Sequence, residues 1–248
     1  MTELREGIKR IGIDLVDAIF PPACPICAKP RPFKNGVRLD ACESCMEKLE
    51  YISEPTCLKC GKALDDGDRE LCYDCKSDSH SYNQAAAVYK YSDSIKKSIY
   101  NFKYHNKREY ATFYAKEMKM NCGDIIAKWN PDVLIPVPIH ASKLRIRGFN
   151  QAGLIAEALG KATGIPVDTQ SLERTVKTVP MKELDNVQRR KNLENAFNVA
   201  QNIVKYKKVL IVDDIYTTGA TLDACATILK SAGVAEVYGL SLCIGNGF

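Results

Sequence analysis

The chain has 248 residues, a formal net charge of +5, 46% hydrophobic and 26% charged residues, an ordinary globular composition able to build a sizeable core. No run is long and apolar enough to span a bilayer, which argues against an integral membrane protein. The first twenty residues are broken by Glu3, Arg5, Glu6, Lys9, Arg10, Asp14 and Asp17 and hold no apolar signal segment, so the expected setting is cytoplasmic, with reduced thiols.

Residues 1–22 read as an amphipathic helix. Leu4, Ile8, Ile11, Leu15 and Ile19 recur at three- and four-residue steps, and the FPP at 20–22 stops the pattern. Acids and bases mix on its polar face, which fits packing against the rest of the protein better than a membrane surface.

Residues 23–80 carry eight of the eleven cysteines as four CxxC pairs, CPIC, CESC, CLKC and CYDC. Each pair can turn two thiolates onto one metal, and two pairs complete a tetrahedral site. Gaps of 14, 11 and 11 residues fit two sequential zinc ribbons, Cys24, Cys27, Cys42, Cys45 and then Cys57, Cys60, Cys72, Cys75. An interleaved pairing has the same spacings. All-cysteine sites imply structural rather than catalytic zinc. Two such sites lower the net charge to about +1, so attraction to nucleic acid has to come from local patches. CAKPRPFKNGVR (27–38) offers four bases and one aromatic for a phosphate backbone, although a solvated tip explains them as well.

Residues 81–248 alternate. QAAAVYKYSD (84–93) reads as a strand, followed by helices near 94–104 and 107–122. DVLIPVPI is a buried strand, GFNQAGLIAEALGKATG a helix ending at Gly164, and IPVDT a short strand. KELDNVQRRKNLENA reads as a polar helix, FNV (197–199) as a short strand and KKVLIVDD as a buried strand. GATLDACATILKSAG is a helix and AEVYGLSLCI the last strand. Continuous apolar strands between helices give an α/β fold, a parallel sheet covered on both faces. Cys122, Cys225 and Cys243 lie in apolar contexts and belong to the core.

VLIVDDIYTTGATL (209–222) places Asp213 and Asp214 at the carboxyl end of a buried strand, where open α/β sheets bind ligands. The next residues open a helix whose first N–H groups are unpaired and lie at the positive dipole end. Gly219 admits close backbone approach, and Thr217, Thr218 and Thr221 supply hydroxyls, making a phosphate cradle. No Walker lysine is present, which argues against an ATP-binding loop. Carboxylates beside a phosphate site suit vicinal hydroxyls or hydrated magnesium, so the ligand reads as a ribose 5-phosphate.

This string resembles the phosphoribosyl pyrophosphate (PRPP) motif of type I phosphoribosyltransferases. The resemblance implies that Asp213 and Asp214 hold the ribose hydroxyls as the catalytic acid pair. It assigns Tyr216, Thr217, Thr218, Gly219, Ala220 and Thr221 to the 5-phosphate. IPVPIHASKLRIRGFNQA (135–152) resembles the pyrophosphate loop: Val137, Pro138, Ile139, His140 and Ala141 would offer backbone contacts, and Lys143 and Arg147 charge. His140 and His105 are weak signals by themselves. Asn150 and Gln151 are placed at a helix start, to cap it or read a ligand. Pyrophosphate would leave through an oxocarbenium-like state that needs positioning and charge neutralisation. Only GNGF follows the last strand, so a hood over the base is expected from the N-terminal half, the zinc segment or the helices of 94–122.

The whole combination resembles the ComF family. It joins the double ribbon, FKY, RIRGFNQA, the spaced string of Arg174, Gln188 to Asn192, Ala196 and Phe197, and the PRPP motif. That family implies a type I phosphoribosyltransferase-like sheet behind an N-terminal double zinc ribbon. It implies PRPP with magnesium as ligand and a role in natural competence alongside its machinery proteins, handling incoming single-stranded DNA. DNA contacts would run along Lys143, Arg145 and Arg147, along Arg189, Arg190 and Lys191, and over the ribbons. The alternative is an active phosphoribosyltransferase of nucleotide metabolism with an unidentified acceptor.

Overall fold

The computed structural model describes residues 21–175 and 196–245. The expected N-terminal helix, and most of the polar helix that carries Arg189, Arg190 and Lys191, lie outside the described residues.

The cysteine segment folds as two similar units. The first contains β1 (Phe33–Lys34), β2 (Val37–Arg38) and α1 (Glu43–Met46), and the second contains α2 (Tyr73–Ser77). In each, the last CxxC pair opens the short helix, from Cys42 and from Cys72.

The remaining elements are β3 (Gln84–Lys90), α3 (Asp93–Tyr104), α4 (Tyr110–Trp129), β4 (Val133–Pro136), α5 (Ala141–Arg147) and α6 (Gln151–Thr163). After them come β5 (Leu172–Arg174), β6 (Phe197–Val199), β7 (Lys208–Tyr216), α7 (Ala220–Ser231) and β8 (Glu236–Ile244). A four-stranded parallel sheet runs in the order β3-β8-β7-β4. Its two inner strands are β8 and β7, and alternate residues of β7 go to opposite faces. Leu210 and Val212 pack with Ile155 and Leu159 of α6, while Val209 and Ile211 pack with Cys225 and Leu229 of α7. Burial on both faces explains why the strand reads as an unbroken apolar run. Cys122, Cys225 and Cys243 are buried. Among the described residues, no helix is long and apolar enough to cross a membrane.

Two expectations change. IPVDT makes one parallel bridge, Leu134 to Val167, beside β4 rather than a strand. Pro166 has no N–H to extend the ladder. Asp168 then turns the chain away: its Oδ1 accepts from the N–H groups of Gln170 and Ser171, at 3.0 and 2.9 Å. The basic stretch after β4 is also not an open loop. Residues 141–147 form α5, begun by His140, whose Nδ1 accepts from the Ser142 N–H at 3.2 Å, and ended at Gly148 in the left-handed region. His140 thus caps the helix through Nδ1, and His105 is an exposed residue paired with Asn101 at 2.9 Å.

The ribbons pack onto the sheet. Ser98 of α3, fully buried, donates to the Pro25 carbonyl of the first ribbon at 2.5 Å. Tyr51 and Tyr89 both donate to Oε2 of buried Glu117 on α4, at 2.9 and 2.6 Å.

Candidate functional site

The carboxyl ends of β4 and β7 lie side by side. Pro136 pairs with Val212, and the Val137 N–H donates to the Val212 carbonyl at 2.9 Å. The next residue of β7 is Asp213, which opens a cleft of about 160 Å³ between the two strand ends. Asp213, Asp214 and Thr221 line one side, Val137, Pro138 and Ile139 another, and four cations face them: Lys103, Lys143, Arg147 and Arg174.

The acids differ in environment. Asp213 is half-buried, and its Oδ1 accepts from the Asp214 N–H at 2.8 Å. Burial, then the adjacent Asp214 charge, pushes its pKa up to about 8. Asp214 is buried and ion-paired through Oδ2 with Lys103 of α3. Burial alone would lower the Lys103 pKa, but the Asp214 carboxylate outweighs it and the ammonium is held charged. Lys143 shifts down, through burial and then the neighbouring charges of Arg174, Arg147 and Lys103. The positive charges of Arg174, Arg147 and Lys103 thus act on Lys143 across the cleft, partly offset by Asp214.

The Asp213 shift has a signed consequence. Its folded pKa lies above the unfolded value of about 3.9, so folding favours the protonated acid. The stability this supplies is full below about pH 4 and is lost as pH rises through about 8. Asp213→Asn is expected to flatten the decline in urea-unfolding free energy over that window, and an unchanged slope would contradict the assignment.

Lys143 and Arg147 stand one turn apart on α5 and share the cleft face, whereas Arg145 is exposed and does not line it. Arg147 donates to Gln151 Oε1 at 2.7 Å and to the Tyr104 hydroxyl at 3.1 Å, with its guanidinium 5.1 Å from the Tyr104 ring centroid. Asn150 secures the strand exit, its Nδ2 donating to the Val137 carbonyl at 3.1 Å.

Beyond Asp214 the chain turns through Thr217 and Thr218 to Gly219, the N-cap of α7, at φ 79°. Thr217, Gly219 and Thr221 surround a small recess with Asp213. Ala220 begins the helix. Tyr216 also lines this recess. It is buried beneath the loop, its hydroxyl 2.8 Å from that of Tyr82.

Sequence reading did not single out Lys103, and it gave Arg174 no role. FKY and Arg174 entered only as pieces of the family string, and a lysine late in a helix carries no signal that it reaches an acid on β7.

The eight cysteines gather sequentially, and the interleaved alternative falls. The Sγ atoms of Cys24, Cys27, Cys42 and Cys45 lie within 4.8 Å of one another, as do those of Cys57, Cys60, Cys72 and Cys75. Cys27–Cys42 and Cys60–Cys72 are 3.9 and 3.7 Å apart. Zinc–thiolate bonds of about 2.3 Å set tetrahedral sulfur edges of about 3.8 Å, so both sets fit structural zinc. Purified protein is expected to carry two zinc ions per chain and Cys57→Ser one, by elemental analysis. Full retention in that variant would reject the site.

Comparison with known proteins agrees with this geometry. Residues 15–76 match the double zinc ribbon domain family and residues 111–244 the phosphoribosyl transferase domain family. The chain is 30% identical to competence protein F of Haemophilus influenzae, over 84% of its own length and 91% of that protein. The chain belongs to the ComF family. Competence protein ComFC of Bacillus subtilis is also 30% identical, over 78% of this chain and 79% of its own. The DNA utilization protein YhgH of Escherichia coli K12 is 25% identical, over 90% of this chain and 97% of its own. This ComF protein therefore carries the double ribbon and the transferase-type sheet in one chain.

Proposed function

We propose that this ComF protein binds PRPP with magnesium in the cleft at the ends of β4 and β7 and acts in natural competence, where incoming single-stranded DNA is handled. One observation carries the reading: four cations, an acid pair and a helix N-terminus converge on one small cleft. A polyanion bearing a diol is the ligand that satisfies all three. Asp213 and Asp214 accept from the ribose hydroxyls. The backbone of Tyr216 and the residues Thr217, Thr218, Gly219, Ala220 and Thr221 take the 5-phosphate. Lys143 and Arg147 meet the diphosphate, with Val137, Pro138, Ile139 and His140 presenting backbone at the strand exit. The acid pair offers the hard oxygen donors magnesium needs, and the ion when bound neutralises the diphosphate. Lys103 releases Asp214 to the sugar and turns to a ligand oxygen.

DNA contact is assigned to Arg145, exposed on the outer side of α5, to the basic first-ribbon tip, and to Arg189, Arg190 and Lys191. The relatives' names, competence protein and DNA utilization protein, support this setting. A working phosphoribosyltransferase is the second reading, favoured by α3. That helix brings Lys103 to the acid pair, which is where a hood over an acceptor would lie.

Calorimetric titration of PRPP with magnesium, with and without single-stranded DNA, tests the first reading. Binding is expected, and absence of binding sinks it. If DNA weakens PRPP binding, PRPP must weaken DNA binding by the same factor. Pyrophosphate release on adding a nucleobase would favour the second reading.

A further inference from the structure

The phosphate loop rests on the second zinc ribbon through two tyrosines. Gly219 sits directly on the Tyr216 phenol: a Cβ at that position would lie 2.3 Å from the hydroxyl oxygen. The Tyr216 hydroxyl is 2.8 Å from the Tyr82 hydroxyl, and Tyr82 is fully buried. Tyr82 packs in the same core cluster as Cys57, Cys60, Cys72 and Cys75. Lys59, inside the CLKC turn, donates to the Tyr82 carbonyl at 2.5 Å, with its ammonium 5.1 Å from the ring centroid. The Ala85 N–H donates in turn to the Lys59 carbonyl at 2.8 Å, tying that turn to the start of β3.

The neighbouring residue grips the helix behind the loop. Ser81 donates its N–H to Asp223 Oδ1 at 2.5 Å, and its hydroxyl accepts from Thr227 at 2.8 Å. Asp223 and Thr227 are one turn apart on α7, the helix whose first turn forms the cradle. Ser81 and Tyr82 thus hold the cradle from behind and from beneath.

An anion loop binds well when its N–H groups are already fixed, because ordering them on binding costs affinity. From this geometry we infer that Tyr82 is a positioning residue of the phosphate loop, acting through Tyr216 to let the second zinc ribbon set the loop's affinity for a sugar phosphate. The inference rests on the proposed reading of that loop for its ligand, but not for its effect on loop order.

Tyr82→Phe removes one hydroxyl and leaves the Tyr216 hydroxyl buried without that partner, a loss of roughly three- to tenfold in what the loop holds. The variant, Tyr216→Phe and the double variant would be titrated with ribose 5-phosphate and, separately, with inorganic pyrophosphate. Ribose 5-phosphate is expected to weaken by roughly that factor in each single variant and no further in the double one. Pyrophosphate, met by Lys143 and Arg147, is expected to keep its affinity, with two zinc ions retained. A merely structural role would weaken both ligands together, and that result, or unchanged ribose 5-phosphate binding, overturns the assignment. Hydrogen exchange of the amides of residues 216–222 in the ligand-free protein is expected to quicken in Tyr82→Phe. If the parent protein binds no sugar phosphate, the proposed function fails, and this exchange still decides Tyr82: unchanged rates reject it.

Discussion

Gly219→Ala is expected to destabilise the protein by about 2–4 kcal/mol in urea unfolding and to weaken ribose 5-phosphate binding by at least roughly tenfold. Two effects add. Residue 219 holds φ 79°, where a side chain costs about 1–2 kcal/mol. The new Cβ would also meet the Tyr216 hydroxyl at 2.3 Å and its Cζ at 2.8 Å. That ring cannot swing aside cheaply, because β7 fixes its backbone and Tyr82 its hydroxyl. Gly164→Ala is the control. It caps α6 at φ 81°, but a Cβ there meets nothing within 4 Å. It should lose only the backbone part, about 1 kcal/mol or a melting shift of roughly 2–4 °C, with ribose 5-phosphate binding unchanged. Equal losses in the two variants would mean that the phenol yields and the loop is not pressed onto it.

The contrast between these glycines shows what the sequence makes legible. Gly164 follows a helical apolar stripe and its place at a C-cap is local, so it can be read without coordinates. The strand VLIV and the acids after it are equally local, since burial on both faces writes an unbroken apolar run. So are the CxxC pairs. IPVDT misleads because a single side chain, Asp168, redirects the chain, and α5 is missed because its seven residues hold no buried face to leave a stripe. Lys103 and Tyr82 are illegible for another reason. Each acts across a large separation, Tyr82 reaching Tyr216 134 residues away, and only the packed sheet makes them neighbours. Their own segments are unremarkable: a lysine late in a helix and a tyrosine before a strand.

Lys103→Met is expected to cost about 2–4 kcal/mol, because it strands a buried carboxylate. Lys103 and Asp214 keep only 18% and 12% of their side-chain surface exposed, so the pair is screened far less than a surface one. Its loss also removes a charge that opposes the upward shift of Asp213, which should therefore titrate higher still. Asp214→Asn alone leaves the ammonium partly buried beside an amide, and costs a similar amount. Combining Lys103→Met with Asp214→Asn strands neither charge, so most of the stability should return, by an interaction of about 1–3 kcal/mol in a double-mutant cycle. Fully additive losses would show that the two charges do not depend on each other. Recovery of stability should not restore PRPP binding. The double variant lacks both the acid assigned to the ribose hydroxyls and the lysine assigned to a ligand oxygen. Calorimetry on that folded variant thus separates what holds the cleft together from what it holds.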